Sequence, residues 1–269
     1  MRTFEKWQCC GNDFVIIDSR RDEKIDSAEK ISKICDRHFG IGADGVIYVL
    51  NSDVAEVRMR IFNADGSEAE MCGNGIRCFT KFLLDGTEKN NLTVETGAGI
   101  LSMNLRGELV TVNMGEPILS ADKIPVEGYG GGHVISEPLE VDGKNFLITC
   151  VSMGNPHCII FVDDLRTIEL EELGKKIERH EIFPKHVNAE FVQRVGENKL
   201  RMRVWERGSG ITLACGTGAC AVAVAANLNG LADKSSDVIL DGGTLHIDWR
   251  EDNHVFMTGA AEKIFVGEF

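Results

Sequence analysis

Hydrophobic and polar positions along this chain alternate in short runs, broken by a few stretches with helical spacing. Alternating or β-branched runs predict strands at 14–18, 46–50, 55–62, 92–96 and 100–113. A second set lies at 146–151, 158–162, 189–194, 199–205, 237–240, 244–249 and 254–258. Helical spacing predicts one helix over 27–37, opened by Asp26 and Ser27 as capping residues, and a matching one around 168–179. A further helix follows each of two Cys-Gly-x-Gly stretches, MCGNGIRCF at 71–79 and ACGTGACAV at 214–222. In the second of these, ACAVAVAANLNG at 219–230 has no polar face, the mark of a buried helix. A strand-rich half holding one such helix predicts sheet wrapped around it.

The two Cys-Gly-x-Gly stretches belong to a longer repeat. Cys72 and Cys215 stand 143 positions apart (215 − 72), and at that offset RMRIF (58–62) falls on RMRVW (201–205). GNDFVIID (11–18) falls on GNPHCIIF (154–161), and Lys33 and Ile34 on Lys176 and Ile177, with no gap. Self-similarity at a fixed offset marks a duplicated structural unit. The predicted class is α/β of the α+β type, with two pseudo-symmetric domains. They are residues 1–116, completed by a C-terminal strand at 261–269, and residues 117–260. The joining segment, 115–138, carries Gly130, Gly131 and Gly132 and three of the five prolines.

Size agrees with this division, since 269 residues suit two domains of roughly 130 each. Composition is that of an ordinary globular protein, 43% hydrophobic and 26% charged. A net charge of −13 argues against a nucleic-acid partner, which needs clustered Lys and Arg. MRTFEKWQCC has no apolar core of signal-peptide length, and no window approaches a membrane span. A cytoplasmic location without membrane attachment is expected. Nine cysteines without an export signal point to a reducing compartment. The spacings from Cys72 to Cys78 and from Cys215 to Cys220 are not those of zinc ribbons, so no metal is expected.

A cysteine at the first turn of a helix meets unpaired N–H groups and the positive end of the helix dipole, which favour a thiolate. Gly73, Gly75, Gly216 and Gly218 leave those N–H groups open to an anion such as a carboxylate. Duplication would bring two such sites together, with a thiol on each side. Two acid–base groups on opposite faces of one carbon suit inversion of a stereocentre. The helix N-termini would stabilise charge moving onto the carboxylate, and no Schiff-base cofactor is then required.

GNDF, FNADGSEAEMCGNGIRC, MGNPH, VWERGSG and ACGTGACA together resemble the diaminopimelate epimerases, from about residue 4 to the C-terminus. The resemblance implies two similar domains, each a mixed curled sheet or barrel around a central helix, with the active site in the cleft between them. It implies pyridoxal-phosphate-independent interconversion of LL- and meso-2,6-diaminopimelate, on the route to lysine and peptidoglycan, in a homodimer. It makes Cys72 and Cys215 the acid–base pair, and His157 and Glu206 the residues tuning the thiols. Substrate contacts fall on Asn12, Asn63, Gly73, Asn74, Asn155, Asn188, Glu206, Arg207, Gly216 and Thr217. The repeat pairs Asn12 with Asn155, Asn63 with Glu206, and Asn74 with Thr217. A substrate with two amino-acid ends, only one of which inverts, needs fixed polar groups such as Asn63, Asn155, Asn188 and the fork of Arg207 at the distal end.

Three positions depart from the family pattern. Cys9 and Cys10 stand where many members have a Gly-rich pair, Gly45 where some have a substrate-contacting glutamine, and Phe265 near a dimer-interface tyrosine. Taken singly, each asparagine is an ordinary turn or cap residue, and His133, His180 and His186 take no role. Two other readings stay open. A related proline or hydroxyproline racemase would keep the thiols and leave Asn63, Asn188 and Arg207 idle. A non-enzymatic thiol or metal-binding protein would carry metal when purified.

Overall fold

The computed structural model describes residues 1–269. Its packing divides the chain into two units, Met1–Asn113 with Thr258–Phe269, and Met114–Met257. The first unit holds β1 (Thr3–Cys9), β2 (Asn12–Asp18), α1 (Ala28–Cys35), β3 (Gly45–Leu50), β4 (Val57–Asn63) and β5 (Glu68–Ala69). It continues with α2 (Gly73–Leu84), β6 (Asn91–Thr96), β7 (Gly99–Arg106) and β8 (Leu109–Asn113). The pairs β2–β3 and β4–β6 are parallel; β1–β2, β3–β4, β6–β7 and β7–β8 are antiparallel. Helix α2 touches β1, β2, β3, β4, β7 and β8, so the sheet curls around it.

Helix α1 packs its buried Ile31, Ile34 and Cys35 against Val15, Ile17, Val46 and Tyr48 on the other face. With helices on both faces, β3 is buried along its whole length, which is why GVIYVL is continuously apolar. Ser27 caps α1 by accepting the Lys30 N–H.

The second unit repeats this plan. It holds β9 (Glu137–Val141), β10 (Lys144–Ser152), β11 (Pro156–Phe161), α3 (Leu170–Glu178), β12 (Asn188–Gly196) and β13 (Lys199–Glu206). After these come β14 (Gly210–Ile211), α4 (Gly216–Leu228), β15 (Ser235–Ile239), β16 (Thr244–Trp249) and the first half of β17 (Val255–Ala260); the rest of β17 and β18 (Glu262–Glu268) belong to the first unit. Helix α4 touches β10, β11, β12, β13, β15 and β16. Residues Ala219–Ala226 are all buried; Val222 and Val224 each contribute about 1.5–3 kcal/mol by leaving water.

Register repeats as well as order. Phe14 pairs with Gly45 across β2 and β3, and His157 with Asn188 across β11 and β12, the same rung one repeat later. Beyond the second helix the offset grows by one: Val94 pairs with Leu101, and Val238 with Leu245. Helix α4 has 13 residues against 12 in α2. β18 pairs antiparallel with β1, and β9 with β10.

Local differences from expectation have physical causes. The run at 100–113 is a hairpin, β7 and β8, turned at Gly107 with φ of 59°. The segment 115–138 is not a loose connector, because Ala121, Ile124, Val126 and Val134 are buried in the core of the second unit. No helix is long and apolar enough to cross a membrane.

Candidate active site

Cys72 is the N-cap of α2, in extended backbone (φ −140°, ψ 121°), and its sulfur accepts the Gly75 N–H at 3.5 Å. Asn12, at the start of β2, brings its Oδ1 to 3.9 Å from that sulfur. The same oxygen accepts the Asn74 amide at 3.3 Å. Behind Asn12, Asp44 Oδ2 accepts from its Nδ2 at 2.8 Å and from the Asp13 N–H at 3.1 Å. Arg37 grips both Asp13 oxygens and Asp44. The Arg37 and Lys6 cations hold the Asp13 carboxyl far below the usual range despite its partial burial. Asn74 is buried, and its Oδ1 accepts from Arg77 at 2.8 Å.

Cys215 is the N-cap of α4 in the same geometry (φ −119°, ψ 110°), accepting the Gly218 N–H at 3.4 Å. The Thr217 hydroxyl lies 3.5 Å from its sulfur. Below it, β11 supplies His157 and β12 supplies Glu190, both fully buried. His157 Nδ1 and Glu190 Oε1 lie 2.6 Å apart, and Nε2 is 3.1 Å from Asn155 Oδ1. From the end of β13, Glu206 accepts the Thr212 hydroxyl.

A helix N-terminus alone would lower a thiol pKa, as the sequence suggests. At Cys215 that expectation is overturned. Burial pushes the thiol well above its ordinary value, and the carboxylates of Glu206 and Glu190 push it further. The Thr217 hydroxyl and the Gly218 N–H pull the other way and do not prevail. Burial also raises Glu206, helped by the Glu190 charge and opposed by Thr212, His157 and Cys215.

The remaining site residues separate by environment. Gly73 and Gly216 are the first residues of α2 and α4, and both are buried. Asn63 is exposed at the end of β4, with its amide on Ser67 of the adjoining turn. Asn188 is buried with both ends of its side chain engaged: Nδ2 donates to the Pro156 carbonyl at 2.7 Å, and Oδ1 accepts the Arg207 N–H at 2.9 Å. It thereby fixes the backbone of Arg207, whose exposed guanidinium donates to the Lys185 carbonyl. A Cβ on Gly45 would lie 2.5 Å from the Phe62 carbonyl, so this backbone has no room for a glutamine there. Sequence reading passed over Asp44 and Glu190. Glu190 had a signal, a carboxylate inside an apolar strand where the repeat has Ile47.

Donor atoms of His157, Glu190 and Cys215 all lie within 4.8 Å of one another. A cation there would have to displace the proton shared at 2.6 Å between the imidazole and the carboxylate.

Comparison with known proteins identifies the family and the fold. Residues 4–120 and 149–264 match the family model described as diaminopimelate epimerase. A diaminopimelate epimerase of Leptospira biflexa is 50% identical, the alignment covering 98% of each chain. One from Acetivibrio thermocellus is 49% identical over 98% of this chain and 97% of its own. Among solved structures, a PhzF-family phenazine biosynthesis protein of Bacillus anthracis superposes with a TM-score of 0.71 at 20% identity, over 100% and 98% of the two chains. A probable proline racemase of Agrobacterium radiobacter gives 0.69 at 14%, over 100% and 93%. These two likenesses establish the fold, an α/β architecture of two sheet-and-helix units. With half of its residues shared along nearly its whole length, this chain belongs to the diaminopimelate epimerase family.

Proposed function

We propose that the chain interconverts LL- and meso-2,6-diaminopimelate by a two-base mechanism, with Cys72 and Cys215 as the acid–base pair. The observation that carries this is the repeated cap: each sulfur accepts the N–H three residues ahead, at 3.5 and 3.4 Å, in two copies of one frame. In one direction a thiolate takes the α-proton, so the C–H bond breaks and an S–H bond forms. The other thiol then gives its proton to the opposite face of the carbon, and becomes the thiolate. The reverse direction exchanges the roles. Charge moving onto the substrate carboxylate meets the N–H groups at the first turns of α2 and α4. No pyridoxal-type cofactor enters these steps.

In this reading Asn12 and Thr217, each beside a sulfur, bind the reacting end together with Asn74, Gly73 and Gly216. Asn63, Asn155 and Arg207 hold the distal amino-acid end, Glu206 takes an ammonium, and Asn188 acts through the backbone of Arg207. A site that pairs buried polar groups discriminates against substrates lacking them. The activity places the chain in lysine and peptidoglycan precursor biosynthesis in the cytoplasm. Ile264, Phe265 and Val266 are consecutive exposed apolar residues on β18, which supports a homodimer through that strand.

The test is incubation of reduced, dialysed protein with LL-diaminopimelate and chromatographic separation of the isomers. Meso isomer accumulating to equilibrium is expected. Conversion of L-proline or hydroxyproline, with none of diaminopimelate, would overturn the assignment.

A further inference from the structure

The turns that follow β4 and β13 stand at equivalent places in the repeat, yet they are held differently. In the first unit the turn at 63–67 closes on itself: the Asn63 amide donates to the Ser67 hydroxyl at 3.0 Å, and Asp65 Oδ1 accepts the Ser67 N–H at 2.9 Å. In the second unit the turn at 206–210 is held from outside, on two consecutive N–H groups. Asn188 Oδ1 accepts from Arg207 at 2.9 Å, and Glu178 Oε1 accepts from Gly208 at 3.1 Å.

Glu178 is the last residue of α3 and is buried. Its Oε2 accepts the Trp205 indole N–H at 2.7 Å, so each oxygen has a donor, as a buried carboxylate requires. His186 Nδ1 stands 3.7 Å from Oε1. The Glu178 carbonyl accepts the Val187 N–H at 3.2 Å, one residue before Asn188. The ring of contacts therefore closes: Glu178 to Val187, Asn188 to Arg207, and Gly208 back to Glu178. Gly174, one helical turn earlier on α3, allows this approach, since a Cβ there would lie 2.5 Å from Trp205 Cβ. At the repeat offset Gly174, Glu178, Asn188 and Trp205 fall on Ile31, Cys35, Gly45 and Phe62, which offer no carboxylate, amide or indole. The side chains for this clamp exist in the second unit alone, around the turn that carries Arg207.

We propose that Glu178 is a positioning residue for substrate recognition: through the Gly208 N–H and Trp205 it fixes the backbone from which Arg207 reaches the distal carboxylate of the substrate. This rests on the function proposed above. The exposed Arg207 guanidinium spends one N–H on the Lys185 carbonyl at 3.0 Å, which leaves its others for a carboxylate. A preset backbone lowers the cost of ordering so long a side chain on a ligand. The distal end is unchanged while the other end inverts, so its contacts are alike in ground and transition states. Their loss is read in KM rather than in kcat.

Steady-state kinetics on LL-diaminopimelate with reduced protein test this. Glu178→Gln keeps the shape but turns an amide N–H toward one of the two donors, so one bond of the clamp is lost. KM should rise about tenfold, with kcat within about threefold of the wild type. An unmoved KM, or a fall in kcat alone, overturns the proposal. Glu178→Asp keeps the charge and draws the oxygens back by one methylene, so it too should raise KM. It decides the question should Glu178→Gln melt early, and a wild-type KM there overturns the proposal. In an Arg207→Ala background, Glu178→Gln should raise KM by less than about twofold more, because the residue it positions is gone. The full rise in that background would mark a general loosening and overturns the proposal. Wild-type turnover, measured first, separates the two claims. No turnover of LL-diaminopimelate overturns the functional assignment and this inference with it; normal wild-type turnover with an unmoved KM in the variants overturns this inference alone.

Discussion

Asp44 holds Asn12 by a 2.8 Å hydrogen bond from the Asn12 amide, and so turns the opposite end of that amide toward the Cys72 sulfur. Without Asp44, the terminal torsion of Asn12 is held only from its oxygen end, by the longer 3.3 Å bond from the Asn74 amide. Asp44→Ala is expected to lower turnover about tenfold to a hundredfold, since small misplacements near reacting atoms carry costs of that order. The far-ultraviolet circular dichroism should stay that of the wild type. Undiminished turnover would show that Asn12 does not depend on this clasp.

Cys72→Ala and Cys215→Ala should each lower epimerisation about a thousandfold or more, because in the proposed mechanism each removes one of two proton-transfer groups. Melting temperatures should stay within a few degrees of the wild type, since the cap bonds to the Gly75 and Gly218 N–H groups are long, at 3.5 and 3.4 Å. Near-normal turnover in either variant would rule out the two-base assignment.

Gly218→Ala should harm activity more than Gly75→Ala. The added methyl at 75 meets the flexible ends of Ile61 and Ile47, which can give way. The methyl at 218 meets Glu190, which is fixed to His157, and the Cys215 sulfur itself. Parallel kinetics on the two variants check this, and an equal or reversed order would contradict it.

Alkaline pH should weaken the fold. Burial pushes the Cys35 thiol up to about 11, and raises Cys78, Cys158 and Cys215 as well. A folded-state pKa above the unfolded value means that the native chain binds more protons than the unfolded chain in that window. The stabilisation is therefore complete below the unfolded thiol pKa near 8.5, and is lost as pH rises through the folded value. Melting temperature should fall between roughly pH 8.5 and 11. Cys35→Ala should flatten that fall, and an unchanged slope would show that Cys35 does not contribute.

The repeat at 143 positions carried most of what the sequence revealed, because register is set by alternation and both copies keep it. Elements whose alternation is broken stayed hidden. In β1 the buried face includes Lys6, whose ion pair with Asp13 at 2.7 Å makes a charged residue acceptable inside. The C-terminal strand expected at 261–269 is β18, although most of its side chains are exposed and give little alternation; it pairs along its backbone with β1. Cys72 and Cys215 were legible because a cysteine before glycines and an apolar run is a local signal. Asp44 and Glu190 act through contacts between strands distant in sequence, which no local pattern records. The elevated thiol at Cys215 was hidden for the same reason: the helix start is local, whereas Glu190 and Glu206 arrive from β12 and β13.

The most direct test of the central claim is proton NMR of LL-diaminopimelate in heavy water with dialysed protein and no added cofactor. Loss of one α-proton signal together with growth of the meso isomer is the predicted result, and Cys72→Ala or Cys215→Ala should abolish it. Persistence of the α-proton signal with folded, reduced protein would contradict two-base epimerisation of this substrate.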